Sequence, residues 1–343
     1  MSNSTPDPQT AFALLRMANG YVATQALYVA ADLGIADHLT QGALTAQELA
    51  SKTGSHPDAF ARLLRALVAF GILNSDAADR FTLTPIGEFL RSDVPGSMRS
   101  IVRHFAGPST WRAWENLPHS IRTAEPAFDH AWGMSLFEYS KCHPDVSKLF
   151  DEAMEGLAAL GSAAILAAYD FSQFGTLVDV GGGNGALLAT VLRQHAALRG
   201  RLADLPHVVS RAVEVLNRAG VADRCEVIGC DFFDIVPSGG DAYVLKSILH
   251  DWDDTRALKI LRNCHRAMKP SATLLLLERV LPEQPAVEAA PRYLMDLAML
   301  VMTPGGRERT PADFHKLLEA ANFEFLGVTP TGGPYDIITA RKS

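Results

Sequence analysis

TLVDVGGGNGALLATVL, Thr176 to Leu192, is the stretch whose reading decides the fold. An apolar strand pattern ends at Val180, the glycines Gly181, Gly182, Gly183 and Gly185 follow, and a helical pattern begins. Glycines at such a turn let the backbone bend sharply and approach a ligand closely. The loop alone is ambiguous, because Gly181-x-Gly183-x-x-Ala186 also fits the relaxed fingerprint of a nicotinamide dehydrogenase. A tight turn without any ligand is the plainer alternative.

Downstream, short apolar runs alternate with helical patterns: RLADL, CEVIGCD, DAYVLKSIL, TLLLLERVL, FEFLGV and YDIITARK. With TLVDV these predict a Rossmann-like, doubly wound α/β fold with a mostly parallel, seven-stranded sheet. Ligands of such sheets sit at the carboxyl ends of the strands. The second run ends at Asp204, nineteen residues after Gly185, where a carboxylate accepts from both hydroxyls of a ribose. The third ends in GCDFFD, offering Asp231 to an exocyclic amine and Phe232 as an apolar wall for a purine. Three successive strand ends thus share a nucleoside theme.

The fourth run ends in LKSILHDWDD, Leu245 to Asp254, which sets His250 between an apolar run and three aspartates. A base, a metal ligand and a residue at a helix start are all consistent with that setting. Glu278 lies toward the end of the next strand, and a carboxylate bonded to one ring nitrogen would fix the tautomer and leave the other nitrogen free. Asp251, Asp253 and Asp254 precede the helical pattern TRALKILRNCHRAM and read as helix-terminal groups that bond free amides. The alternative is that the three aspartates hold magnesium.

Together LVDVGGGNG, DLPHVV, GCDFFD, LKSILHDWDD, LLLLERVLPE and TPGGRERTPADF resemble, in order and spacing, the S-adenosylmethionine-dependent O-methyltransferases of the caffeate and hydroxyindole type. That group includes bacterial relatives acting on polyketides and other aromatic metabolites. The resemblance implies cofactor contact at Gly181, Asp204, Leu205, Asp231, Phe232 and Lys246, with His250 as base flanked by Glu278 and Glu308. It implies S-adenosylhomocysteine as product, no metal, and an aromatic acceptor held by His104, Phe105, Trp114, Phe150, Met154, Met299 and Thr303. Plant relatives often carry asparagine at the position of Thr303. A diverged relative doing decarboxylation, hydroxylation or N- or C-methylation is the alternative.

The N-terminal half is organised differently. From Thr45 to Leu83 a short helix, a turn, a second helix and a small β element suggest a winged helix, with Phe60, Leu63, Leu64, Leu67 and Val68 forming one apolar stripe. Residues 45 to 90 carry four basic side chains against five acidic ones, too few cations for a phosphate backbone. A protein contact is the better reading than a DNA-binding regulator. The resemblance implies a homodimer through this domain, and the apolar stretch YVATQALYVAADLGIADHL must be covered by its own chain or by a partner. The expected domains are 1–100 for dimerisation, 101–170 as a helical linker contributing to the acceptor pocket, and 171–343 for cofactor binding and catalysis.

Composition agrees with this organisation. The 343 residues are 48% hydrophobic and 20% charged with a formal charge of -7, which argues against nucleic acid as the main partner. The start MSNSTPDPQT lacks the features of a secretory signal, so a cytoplasmic location is expected. GLAALGSAAILAAY, Gly156 to Tyr169, is too short for a membrane span and reads as a buried helix. Cys142, Cys225, Cys230 and Cys264 show no paired spacing and read as reduced core thiols.

Overall fold

The computed structural model describes residues 8–343, so most of the polar start lies outside the described residues. The chain forms two compact units, one running through Trp111 and including His143–Gly156, the other comprising Arg112–Cys142 and Leu157–Ser343.

The first unit opens with helices α1 (Pro8–Ala18), α2 (Gly20–Asp32) and α3 (Ile35–His38). Strand β1 (Leu44–Thr45) leads into α4 (Ala46–Thr53), whose start is a capping box in which Thr45 and Glu48 satisfy each other's amides. Gly54 ends it in the left-handed conformation, and α5 (Pro57–Ala69) follows. Phe60, Leu64 and Leu67 of its stripe are buried, while Leu63 and Val68 pack partly exposed against the same core. Strands β2 (Leu73–Ser75) and β3 (Arg80–Leu83) form an antiparallel sheet with β1, in the order β1-β3-β2. Helix α6 (Arg99–Ala106) is tied to α2 and α3 by Arg99 to Asp37 at 2.7 Å and Arg103 to Asp32 at 3.0 Å.

Helices α7 (Pro108–Glu115), α8 (Leu117–Thr123), α9 (Ala127–Trp132), α10 (Leu136–Cys142) and α11 (Pro144–Ala168) fill the middle of the chain. In α11 Ser162 and Ile165 are buried while Ala163 and Ala167 are exposed, so the stretch expected to form a buried helix is only partly covered. Among the described residues no helix is long and apolar enough to cross a membrane.

The second unit is built on the sheet of β4 (Thr176–Val180), β5 (Arg199–Asp204), β6 (Cys225–Gly229), β7 (Ala242–Lys246), β8 (Thr273–Glu278), β9 (Phe323–Pro330) and β10 (Asp336–Lys342). Its order is β6-β5-β4-β7-β8-β10-β9, with the first five strands parallel and β10 antiparallel to both neighbours. The helices are α12 (Ala186–Gln194), α13 (Pro206–Val209), α14 (Ala212–Arg218), α15 (Asp254–Ala267), α16 (Ala290–Met302) and α17 (Pro311–Ala320). Near-continuous apolar strands such as Leu274–Leu277 follow from cover on both faces, and two buried clusters flank the sheet accordingly.

Two sequence expectations need correction. Only Asp253 caps α15, accepting from the Arg256 amide at 2.8 Å. Asp254 instead pairs with the buried Arg309 at 2.9 Å, and Asp251 faces His250. All four cysteines are free, but only Cys264 is a buried core thiol and Cys142 is exposed.

The first two helices leave apolar surface uncovered: Phe12, Leu14, Leu15 and Met17 of α1 and Tyr21 and Val22 of α2 are exposed. Surface of that kind marks an interface rather than a solvated face. Light scattering should therefore report a particle of twice the 37.0 kDa chain mass. Phe12→Glu with Met17→Glu should halve it, and a monomeric wild type would contradict the dimer.

Candidate active site

The glycine loop after β4 is shaped by its neighbours. Gly181, Gly183 and Gly185 have φ of +70°, +61° and +79°, a region that side-chain-bearing residues avoid. A methyl group on Gly181 would lie 2.5 Å from Ile248 Cδ1 and 3.4 Å from Phe232 Cε1. The end of β7 therefore presses directly on the loop, and the backbone is bare because nothing larger fits.

Strand ends β5 and β6 supply carboxylates beside it. The Gly183 amide donates to Asp204 Oδ2 at 2.8 Å and the Leu205 amide to Oδ1 at 2.7 Å. Burial raises the Asp204 carboxyl, and these two amides oppose it. A carboxylate offers about four lone-pair sites, so both oxygens keep acceptor capacity. Asp231 Oδ1 accepts from the Phe233 amide at 2.8 Å. Phe232 is half-buried with its ring edge-on to Phe233, 5.0 Å between centroids, and Leu205 is exposed. Beneath the loop Asp179 is buried, and neither of its oxygens has a hydrogen-bond partner among the described residues. Burial pushes it up to about 7, with Lys246 opposing and Asp204 adding to the rise.

The end of β7 turns through Ser247, whose φ is +55°, a conformation costing about 1–2 kcal/mol for a residue with a side chain. After that turn the amides of Ile248 and Leu249 donate to Glu278 Oε1 at 3.0 and 2.8 Å. Glu278 Oε2 lies 3.2 Å from His250 Nδ1, and Glu308 Oε1 lies 3.5 Å from the same nitrogen. Asp251 Oδ1 stands 3.5 Å from Nε2. These are ion-pair contacts, because Nδ1, Glu278 Oε2 and both Glu308 oxygens are buried without an aligned hydrogen bond.

Charge sets the protonation of this cluster. Burial disfavours the imidazolium of His250, but Glu278, Asp251 and Glu308 outweigh it and push the ring up to about 10. Burial likewise works against the Glu278 carboxylate, yet His250 and the two backbone amides hold it below the usual range. Glu308 goes the other way, pushed up to about 7 by burial against the pull of His250 and Arg279. Ligand-type atoms of His250, Glu278 and Glu308 lie within 4.8 Å of one another. The positive neighbour already there is the Arg279 guanidinium, 3.6 Å from Glu308 Oε1.

The remaining residues singled out from the sequence divide between the units. In the first, His104 packs edge-on to Phe105 and Phe150, each 5.2 Å between centroids, and burial alone lowers its imidazole to about 4. Met154 is half-buried on α11. In the second, Trp114 is half-buried on α7, and Met299 and Thr303 are buried at the end of α16, with Thr303 Oγ1 donating to the Met299 carbonyl at 2.8 Å. Four residues escaped the sequence reading as site members: Asp179, Arg279, Tyr335 and, as a neighbour of the imidazole, Asp251. Asp179 and Arg279 each interrupt an apolar run, which is a legible signal. Tyr335 has none, because its place depends on how β10 returns beside β8.

Family models match this chain over residues 114–324 as an O-methyltransferase domain and over residues 15–93 as an O-methyltransferase dimerisation domain. Phenazine O-methyltransferase PhzM of Lysobacter antibioticus is 43% identical over 329 residues, covering 96% of this chain and 95% of that protein. A solved N,N-8-amino-8-demethyl-D-riboflavin dimethyltransferase from Streptomyces davawensis superposes with a TM-score of 0.84 at 36% identity, covering 97% of this chain and 99% of that one. An O-methyltransferase from neocarzinostatin biosynthesis, solved with S-adenosylmethionine and 2-hydroxy-5-methyl naphthoic acid, gives 0.79 at 35% identity, covering 94% and 96%. These matches answer the ambiguity of the glycine loop: the chain belongs to the family of S-adenosylmethionine-dependent O-methyltransferases.

Proposed function

We propose that this protein methylates a hydroxyl of an aromatic small molecule, with His250 as general base. The observation that carries the reading is the close approach of Gly181 to Ile248, which sets the bare glycine loop against the segment bearing His250. The fit to the cofactor rests on that loop, on the spare acceptor capacity of Asp204, and on the unpartnered carboxyl of Asp179. Gly181, Asp204, Leu205, Asp231, Phe232 and Lys246 would hold S-adenosylmethionine, which supplies an electrophilic methyl group on a sulfonium.

The protein's own task is to move a proton. A phenol with pKa ~10 gives its proton to an ordinary imidazole of ~6.5 only uphill, by roughly 5 kcal/mol. Glu278 and Glu308 at Nδ1 make the imidazolium more stable, and so remove most of that difference. Nε2 would be the accepting atom, since the carboxylates lie on the Nδ1 side, with Asp251 alone near Nε2. Met299 and Thr303, buried at the end of α16, have the chemistry to contact a flat acceptor. An amine acceptor is the second reading, carried by the similarity to the riboflavin-type N,N-dimethyltransferase.

The direct test is mass spectrometry of incubations with S-adenosylmethionine and a panel of phenols and aryl amines, all containing EDTA. Methylated phenols are expected in full yield. Loss of product with rescue by magnesium would make the site a metal centre, and products from amines alone would favour the second reading.

For the base, His250→Ala should lower kcat by ~10²–10⁴ with little change in cofactor affinity. The sign of the pH dependence follows from the charges. With the free protein's imidazole held protonated up to about 10, kcat/KM for a phenol should fall as pH drops, with an inflection above the ordinary ~6.5. That inflection should vanish in the alanine variant. Wild-type rates for His250→Ala across several phenols would make the histidine a bystander.

Asp204 is tested by calorimetry. Asp204→Ala should weaken S-adenosylhomocysteine binding at least about tenfold, the effect of losing a charge-assisted pair of hydrogen bonds. Unchanged affinity would remove Asp204 from the site.

A further inference from the structure

Arg279 belongs to no role assigned so far, yet it is buried one residue beyond Glu278. Its guanidinium stands 3.6 Å from Glu308 Oε1, and its Cζ lies 4.8 Å from the centre of the Tyr335 ring. Lys246 Nζ occupies the same ring at the same 4.8 Å. Tyr335 is itself buried, wedged so closely against α11 that a methyl group on Gly161 would meet its ring at 2.6 Å. The ring is therefore a fixed platform for two cations, each attracted to its face.

Arg279 faces a carboxylate that has little else. Neither oxygen of Glu308 has a hydrogen-bond partner among the described residues. Its charged surroundings are His250, Glu278 and Asp296, with Asp296 Oδ1 accepting from the Glu308 amide at 2.9 Å and Arg292 adding a more distant positive charge. Two of these neighbours are acids, so burial and like charge both drive Glu308 toward its neutral form. Against them stand Arg279 and the imidazole.

We infer that Arg279, seated on the ring of Tyr335, is a positioning residue that favours the ionised form of Glu308 beside His250. This rests on the reading of His250 as the base, because an ionised Glu308 matters to the reaction when the imidazole takes up the acceptor's proton. The arrangement explains why the sequence sets an arginine directly after Glu278 in an otherwise apolar run. Glu278 is held by two backbone amides, whereas Glu308 is held by a side chain.

The test follows the Glu308 carboxyl in the free protein by carbon-13 NMR, its signal identified by loss in Glu308→Gln. Arg279→Met should raise the midpoint of that titration by about 1–3 pH units, the effect of removing an opposite charge at this range. Arg279→Lys keeps the charge and should restore most of the difference. Tyr335→Phe keeps the ring but removes the hydroxyl that accepts from Arg279 Nη2 at 3.5 Å, so it should raise the midpoint less than Tyr335→Leu, which removes both. An unmoved midpoint in Arg279→Met overturns the inference. If that variant fails to fold, an unmoved midpoint in Tyr335→Leu does so instead. Because no cofactor or acceptor is present, a bystander His250 would leave this result standing, so the two readings fail separately.

Discussion

Burying Glu278 and Glu308 against one imidazole is the constraint on which the second unit depends. An ionised carboxylate taken out of water costs several kcal/mol unless cations and hydrogen bonds meet it. Here the compensation is uneven. Glu278 receives two backbone amides and Nδ1 of His250, while Glu308 receives the same nitrogen and a guanidinium but no aligned hydrogen bond. The surroundings therefore stabilise positive charge on His250, which is what the proposed general base would require at the moment it accepts a proton.

Such a cluster holds its geometry only if the loop carrying it is fixed from outside. Arg309, fully buried, donates to the Leu249 carbonyl at 2.7 Å and the Trp252 carbonyl at 2.8 Å, and so brackets His250 on both sides. The Arg307 amide donates to the carbonyl of His250 itself at 2.8 Å. A methyl group on Gly306 would sit 2.6 Å from that same carbonyl, so the segment bearing Glu308 lies directly against the histidine's backbone. The strained φ of Ser247 is tolerated because its consequence, two amides on Glu278, is locked in by these contacts.

Much of this was legible in the sequence, and the reason is local. Strand patterns, the glycine loop and the acids at Asp204 and Asp231 are features of single segments, and period and turn chemistry report them. Asp253 as a cap was readable for the same reason. What stayed hidden needed two segments at once. Asp254 looked like a second cap, but the distant Arg309 claims it; Asp251 looked like a third, but the short helical turn after Ile248 brings it to the imidazole. Tyr335 becomes part of the site only because β10 pairs antiparallel to β8 with Asp336 opposite Glu278. No pattern within GGPYDIITARK announces that register.

The same reasoning explains how one scaffold can serve hydroxyl and amine acceptors among its relatives. An amine attacks with a lone pair it already has and loses its proton afterwards, so holding it in line with the methyl donor does most of the work. A neutral hydroxyl is a poor nucleophile until its proton starts to leave, so position alone is not enough and a base must be present. The glycine loop pressed against Ile248 serves either acceptor, because it concerns only where the reacting groups meet. Under the proposed function, His250 with its two buried carboxylates would be needed only for the hydroxyl. On that reading, a chain that buries two acids against one imidazole, with Arg279 beside one of them, would be organised around the harder of the two tasks.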